Sequence, residues 1–402
     1  MRVKRNAGVC GVALMLVSGG TLAQTNGGDG SGIAQGPAPK PPSFSTLFPV
    51  PTNNNGYEEW VQAADLIQNN PKVVALASDS EMTLAMKRRL LADPGVERAL
   101  QLLRAGVQKP VFSPRTSVDV NTTFPELRGF LPLARLLCVE QYVAFADGRV
   151  DRAIETLRTG LTFGYRIQTD SMRSGAIGAL IDTLLLTQFS QHLDQLSVYH
   201  CEEVRRIVED FLAAENPTVH LIALQKSYVL HLLESKRSDP KGFLADVKSM
   251  IGDNADTSGS SMASLFAYLQ SHPGSVNAVL DDAQQRANAL YDQTLLNLHL
   301  PVGQRKPPVM GEDKAPGAAL FQAVTFDPQR SLDRATRNQA QLRLLGVHVL
   351  IHRYRWDHNR LPNSLAELHA DSLVKDLVSG IQVVYTRDGD HYTLTTLGAP
   401  EP

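Results

Sequence analysis

This sequence predicts a mainly α-helical protein: packed helical hairpins, then a small α+β module of long helix, short helix and β-hairpin. Three observations carry that fold class. Apolar residues recur at offsets of three and four from Tyr57 to about Leu298, the period of an amphipathic helix. Asn216-Pro217, Asp239-Pro240 and "GDNADTSGSS" interrupt that pattern with residues that stop or start helices. In "IQVVYTR" and "DHYTLTTL" the period drops to two, the signature of half-buried strands.

The chain opens on Arg2, Lys4 and Arg5, then an apolar run from Ala7 to Val17, then Thr21 and Ala23 as small residues. That order reads as a secretory signal peptide over 1–23, cut after Ala23. Cys10 lies inside the apolar run and no Cys stands at the cut, so no lipoprotein anchor is expected. The expected location is the periplasm or the medium. Residues 24–56 contain "TNGGDGSG", "PAPKPP" and "PVPTNNNG". Such a stretch buries too little apolar surface to offset its ordering entropy, and it reads as a disordered tether. Loss of the three N-terminal cations moves the formal net charge from −2 to −5. A mildly acidic chain offers no electrostatic footprint for nucleic acid or anionic lipid. The chain beyond Ala23, about 380 residues, exceeds what one core usually holds, so two units are expected.

Residues 57–330 form the expected helical domain. "YEEWVQAADLIQ" puts Trp60, Ala63, Ala64 and Ile67 on one stripe. Helical runs follow near 81–107, 124–146, 149–168, 171–195, 201–214, 217–235, 241–251, 262–271 and 275–298. Two segments align without gaps: "LADPGVERALQLLRAGV" from Leu91 and "FADGRVDRAIETLRTGL" from Phe145. Each reads as a turn and a helix, with Asp93 or Asp147 placed to cap and the small Ala99 or Ala153 allowing a close helix contact. The second copy resembles the junction of tetratricopeptide-type repeats, although a solenoid needs about three repeats. Beyond Ala23 the cysteines are Cys138 and Cys201. Export permits a disulfide, but Cys138 lies in the apolar pattern "LARLLCVEQYV", where a buried free thiol is the commoner state.

Residues 300–319 carry Pro301, Pro307, Pro308 and Pro316 and read as a surface loop. A long helix is expected from about Ser331 to Asp357. Asp388-Gly389 then suits a type I′ turn, which would set Tyr385 opposite Tyr392 and Val383 opposite Leu394 on one face.

Residues 331–398, through "IHRYRWDHNRLPNSLAEL", "LVKDLVSG" and "IQVVYTRDGDHYTLTTLG", resemble the globular end of type II secretion pseudopilins. Tyr354, Asp357, Arg360, Pro362, Leu365, Leu368, Gly380, Tyr385, Tyr392, Leu394 and Gly398 occupy the matching positions. The resemblance implies a long helix, a short helix and a β-hairpin. Asn359 stands where that family prefers Gly, and Leu377 where Pro is usual. No acidic loop follows the hairpin, so the calcium site of some pseudopilins is not expected. Nor is polymerisation as a pilin, since the assembly helix is not recognisable. The whole also looks like a group of uncharacterised exported bacterial helical proteins, a likeness that implies architecture and no activity.

The chemistry is sparse. His348 and His352 in "HVLIHRYRWDH" have the spacing of two metal ligands on a helix, and a metal site would start from them. A zincin reads H-E-x-x-H, whereas Val349, Leu350 and Ile351 stand between these histidines and none can take a proton. On a helical wheel they fall at about 240° and 280°, with Gln341 and Arg355 and away from the apolar stripe. They are expected on an exposed polar face, with no metal. No G-x-S-x-G elbow, phosphate loop or dinucleotide fingerprint occurs. Glu140 and Asp182 lie in apolar helices and are expected to be paired or snorkelling carboxylates. No catalytic residue and no cofactor is assigned. The expected function is non-enzymatic: an exported envelope protein that binds another protein or envelope component. The alternatives are a hydrolase whose site assembles only in three dimensions, and an accessory of type II secretion or pilus machinery.

Overall fold

The structure, a computed structural model, describes residues 54–112, 124–168, 171–251, 261–307, 315–376 and 380–397. The signal peptide, nearly all of the tether, "DNAD", Leu377 and Gly398 lie outside the described residues. The described chain is mainly helical, with a two-stranded antiparallel sheet near its C-terminal end.

Helix α1 (Gly56–Gln68) begins inside the expected tether. Asn55 is 1% exposed. Its Oδ1 accepts from Tyr57 N at 3.1 Å and its Nδ2 donates to Phe112 O at 2.7 Å. The "NNNG" stretch thus supplies an N-cap, the role Asn takes because its short side chain reaches an orphan backbone N–H. A short helix α2 (Pro71–Ala77) follows, which the periodicity did not mark, then α3 (Leu84–Leu91) and α4 (Pro94–Val107). Trp60 of α1 is fully buried; its indole donates to Leu103 O of α4 at 3.1 Å. Around it Tyr57, Phe130 and Phe163 meet edge to face, with Trp60 and Phe163 centroids 4.9 Å apart. Such pairs add about 1 kcal/mol each beyond area burial.

The core continues through α5 (Leu127–Ala146), α6 (Val150–Arg166), α7 (Met172–Ser190) and α8 (Val198–Ala213). Among the described residues α5 is long and apolar enough to cross a membrane, and 67% of its apolar window is buried by the other helices. The apolar stretch "IGALIDTLLLTQF" in α7 is interrupted by Asp182. The paired segments occupy α3–α4 and α5–α6, and their shared glycines do the same job. A Cβ at Gly106 would lie 2.5 Å from Trp60 Nε1, and one at Gly160 2.3 Å from Leu185 Cδ1. Each glycine lets a neighbouring helix approach. The capping aspartates diverge. Asp93 caps α4 by accepting from Gly95 N and Val96 N. Asp147 is the C-cap residue of α5 and not the N-cap of α6: Gly148, at φ +72°, lengthens the turn so that Arg149 becomes the N-cap residue of α6. Asp147 pairs with Arg88 and Arg149 instead.

Helices α9 (Pro217–Ser235), α10 (Pro240–Ile251), α11 (Ser261–Ser271), α12 (Val276–Leu298) and α13 (Pro316–Val324) build a second apolar cluster, from Ile222 to Phe321. Asn216-Pro217 starts a helix rather than merely separating two, with Asn216 accepting from Thr218 N at 3.0 Å and Pro217 at the first helical position. Part of the expected loop over 300–319 is helical too, because Pro316 opens α13 in the same way.

Helix α14 (Gln329–His358) does not begin a separate core. Leu342, Leu345, Val349 and Ile351 join the first cluster with Val204, Ile207 and Val208 of α8. The expected boundary at 330/331 therefore does not divide the interior; the second cluster lies between two parts of the first. The physical reason is Gly346. A Cβ there would touch Val208 Cγ1 at 3.1 Å, so α8 and α14 pass closely and share one apolar seam. Asn359 ends α14 in the left-handed region at φ 53°, as its tolerance of that region allows. After a short helix α15 (Asp371–Val374), strands β1 (Gln382–Asp388) and β2 (His391–Leu397) form the hairpin.

The hairpin register differs from the expected one by two residues. Tyr385 pairs with Leu394, Val383 with Thr396 and Asp388 with His391. The loop is Gly389-Asp390, and the positive φ falls on Gly389 alone, at +59°. That is the type II′ requirement of Gly at the first loop position. A type I′ turn would have put Asp388 in the left-handed region at a steric cost that Gly389 does not incur. A slip of two preserves the faces, so Val383, Tyr385, Tyr392 and Leu394 still share one.

Candidate functional site

His348 and His352 are not on a free face. The hairpin lies over that side of α14, and both histidines are half-buried. Tyr392 Oη and His348 Nδ1 share a hydrogen bond at 3.0 Å, with ring centroids 5.5 Å apart. The angular reading expected both histidines on an exposed polar face. It could not see a hairpin arriving from 40 residues downstream. Burial pushes His348 down to about 4, with His352 beside it adding repulsion. Burial also lowers His352, helped by the Arg355 cation. Both rings are neutral at pH 7. Among the described residues no group of three or more His, Cys, Asp or Glu gathers to hold a metal ion.

Below them, the end of α14 forms a clasp. Tyr354 Oη donates to Glu367 Oε2, which Arg360 Nη2 also reaches at 3.0 Å, and Asn363 N donates to Oε1 at 2.9 Å. These three donors hold the Glu367 carboxyl down at about 2, the Tyr354 hydroxyl most of all. His358 stacks on Tyr354 at 4.0 Å and 12°, and Tyr385 Oη donates to Pro362 O at 2.8 Å. A cleft of about 400 Å³ opens here, lined by Tyr354, His358, Ala366, Glu367 and His369. A carboxylate fixed by three donors is a poor proton donor or base, so the cleft's polar groups do structural work. Of the positions in the pilin-like pattern, Tyr354, Arg360, Pro362 and Tyr385 take part in these hydrogen bonds.

The sequence led to the expectation that Glu140 and Asp182 are each a paired or snorkelling carboxylate, and the two differ. Glu140 pairs with Arg104 and Arg152 and accepts from Thr156 Oγ1 at 3.3 Å. Asp182 has no cation among the described residues. Its Oδ2 lies 3.4 Å from both Gln168 Nε2 and Asn338 Nδ2, and its buried Oδ1 has no partner. Burial drives its pKa well above the usual carboxylate value, against a smaller opposing effect of the Asn338 amide. A Cβ at Gly164 would sit 2.2 Å from Oδ1, so α6 is bare where the carboxyl fits. Asn338 also donates to Ala179 O and accepts from Thr183 Oγ1, both at 3.1 Å. The result is a neutral polar lock joining α6, α7 and α14.

Cys138 and Cys201 are both free. Burial raises their thiols to about 12 and about 11 respectively, which leaves them inert as nucleophiles at neutral pH.

Among the described residues, the most exposed large apolar side chains are two aromatics, Tyr199 and Trp356. Trp356 is 62% exposed and Tyr199 68%, and Val198 is exposed beside Tyr199. Trp356 Nε1 donates to Leu196 O at 3.3 Å, which fixes the end of α14 against the start of α8 and brings these side chains to one region. No signal in the sequence marked this patch, because Tyr199 and Trp356 are far apart in the chain and each alone fits a helical pattern. No family model, no curated protein and no solved structure matches this chain.

Proposed function

We propose that this chain is an exported cell-envelope protein that works by binding another protein or envelope component rather than by catalysis. The observation that carries the reading is the exposed aromatic patch of Val198, Tyr199 and Trp356 on the ends of two packed helices. Large aromatic side chains held on rigid elements with an open apolar face are what binding hot spots are made of. These titratable groups are engaged elsewhere: Glu140 and Glu367 by their donors, His348 by Tyr392. Export rests on the basic and apolar pattern before Ala23, and predicts a mature chain beginning at Gln24 in the envelope or the medium.

The test is a photo-crosslinker at position 199 in the native cell. One defined macromolecular adduct, lost when Trp356→Asp is added, supports the reading. Absence of any adduct contradicts it. A second reading has its own support. The Tyr354–Glu367–Arg360 clasp and the hairpin laid along α14 suit a pilin-like module, and with it an accessory of type II secretion. That reading predicts pseudopilins among the crosslinked species.

A further inference from the structure

The hairpin ends the sheet on a strand that nothing follows among the described residues. On the far side of β1, Asp376 N donates to Ile381 O at 2.9 Å, and Lys375 bridges Gln382. Odd-numbered residues of β1 therefore turn their backbone groups away from β2. The observed pairing then aims the N–H and C=O of Leu394 and Thr396 outward from β2. The two strands are also unequally covered. Ile381 and Val383 are buried, whereas Leu394 and Thr396 on the same face are half-buried and Leu397 is 59% exposed. Native sheets blunt an edge like this with Lys, Pro, bulges or inward charges. "HYTLTTL" contains no Lys, Arg, Asp, Glu or Pro.

We propose that the outer edge of β2 pairs antiparallel with the same edge of a second copy of this chain, about a two-fold axis at Thr395. In that register Leu394 of each copy lies opposite Thr396 of the other. Both pairs use the outward-aimed groups, which gives a ladder of four backbone hydrogen bonds. Thr395 faces Thr395 across the axis, a favourable cross-strand pair, and the exposed Leu397 is covered beside Thr393 of the second copy. Self-pairing is the occupancy the edge favours because the strand is uncharged, so a two-fold axis brings no like charges together.

Sedimentation equilibrium of the full chain over a roughly hundredfold range of concentration reads the association directly. A monomer–dimer equilibrium is expected. Thr395→Lys places two ammonium groups against each other on the axis and should weaken the dimer about tenfold or more. Thr396→Pro removes an outward N–H at a position where an edge strand tolerates proline, and should weaken it similarly. In both variants His348 should keep its low pKa, which reports that the hairpin is still seated. If Thr396→Pro unseats the hairpin, Thr395→Lys decides alone. A wild-type chain that stays monomeric throughout overturns the proposal, as does a dimer that Thr395→Lys leaves unchanged.

Discussion

Asp182 and His348 are titratable groups whose charge state the fold controls, in opposite senses. Asp182 has its folded pKa raised, so the folded state holds a proton the unfolded state has lost. Its contribution is fully present below the unfolded value, near 3.8, and is lost as pH rises toward the folded pKa. Asp182→Asn keeps the shape without the ionisation. It should stabilise the protein at neutral pH by on the order of 1 kcal/mol, and flatten the loss of stability with rising pH. Urea unfolding of both proteins at several pH values checks this. His348 has its folded pKa depressed from 6.5 to about 4, so its contribution is present above 6.5 and is lost as pH falls toward 4. Proton NMR should find its midpoint near 4, and Tyr392→Ala should raise it toward the free-imidazole value. A midpoint already near that value in the wild type would mean the hairpin does not cover the histidine.

Among the elements, the paired segments show how much of the packing was legible and where legibility stopped. The turn-helix units at Leu91 and Phe145, the helix stripe around Trp60 and the hairpin were all readable, because their period is local. Gly106 and Gly160 stood in equivalent positions of the alignment, but only the partner helices reveal that both are close-contact points. Alanine at either should cost about 1–3 kcal/mol through overpacking, measured by chemical denaturation. Asp93→Ala should cost about 1 kcal/mol as a lost N-cap, whereas Asp147→Ala should cost less, since its ion pairs are exposed. The hairpin register was missed by two residues because Asp-Gly and Gly-Asp turns both satisfy the sequence. The choice fell to the one residue free to take positive φ, Gly389.

Across the whole molecule, the interior divides where long-range packing puts it, not where the periodicity changes. Helix α14 marks the change in sequence texture, yet its apolar side completes the core of α7 and α8. The aromatic patch had the same origin: Tyr199 and Trp356 come together only because α8 and α14 pack. With Cys138 and Cys201 both free and raised by burial, native protein should react with a thiol reagent far more slowly than urea-unfolded protein. Fast labelling of both in the native state would mean this core is open.

The most direct test of a binding role is the crosslinking yield from position 199 in living cells, compared with and without Trp356→Asp. A discrete adduct that the second substitution abolishes is the outcome this account predicts. A protein that stays unattached, or an adduct indifferent to residue 356, would contradict it.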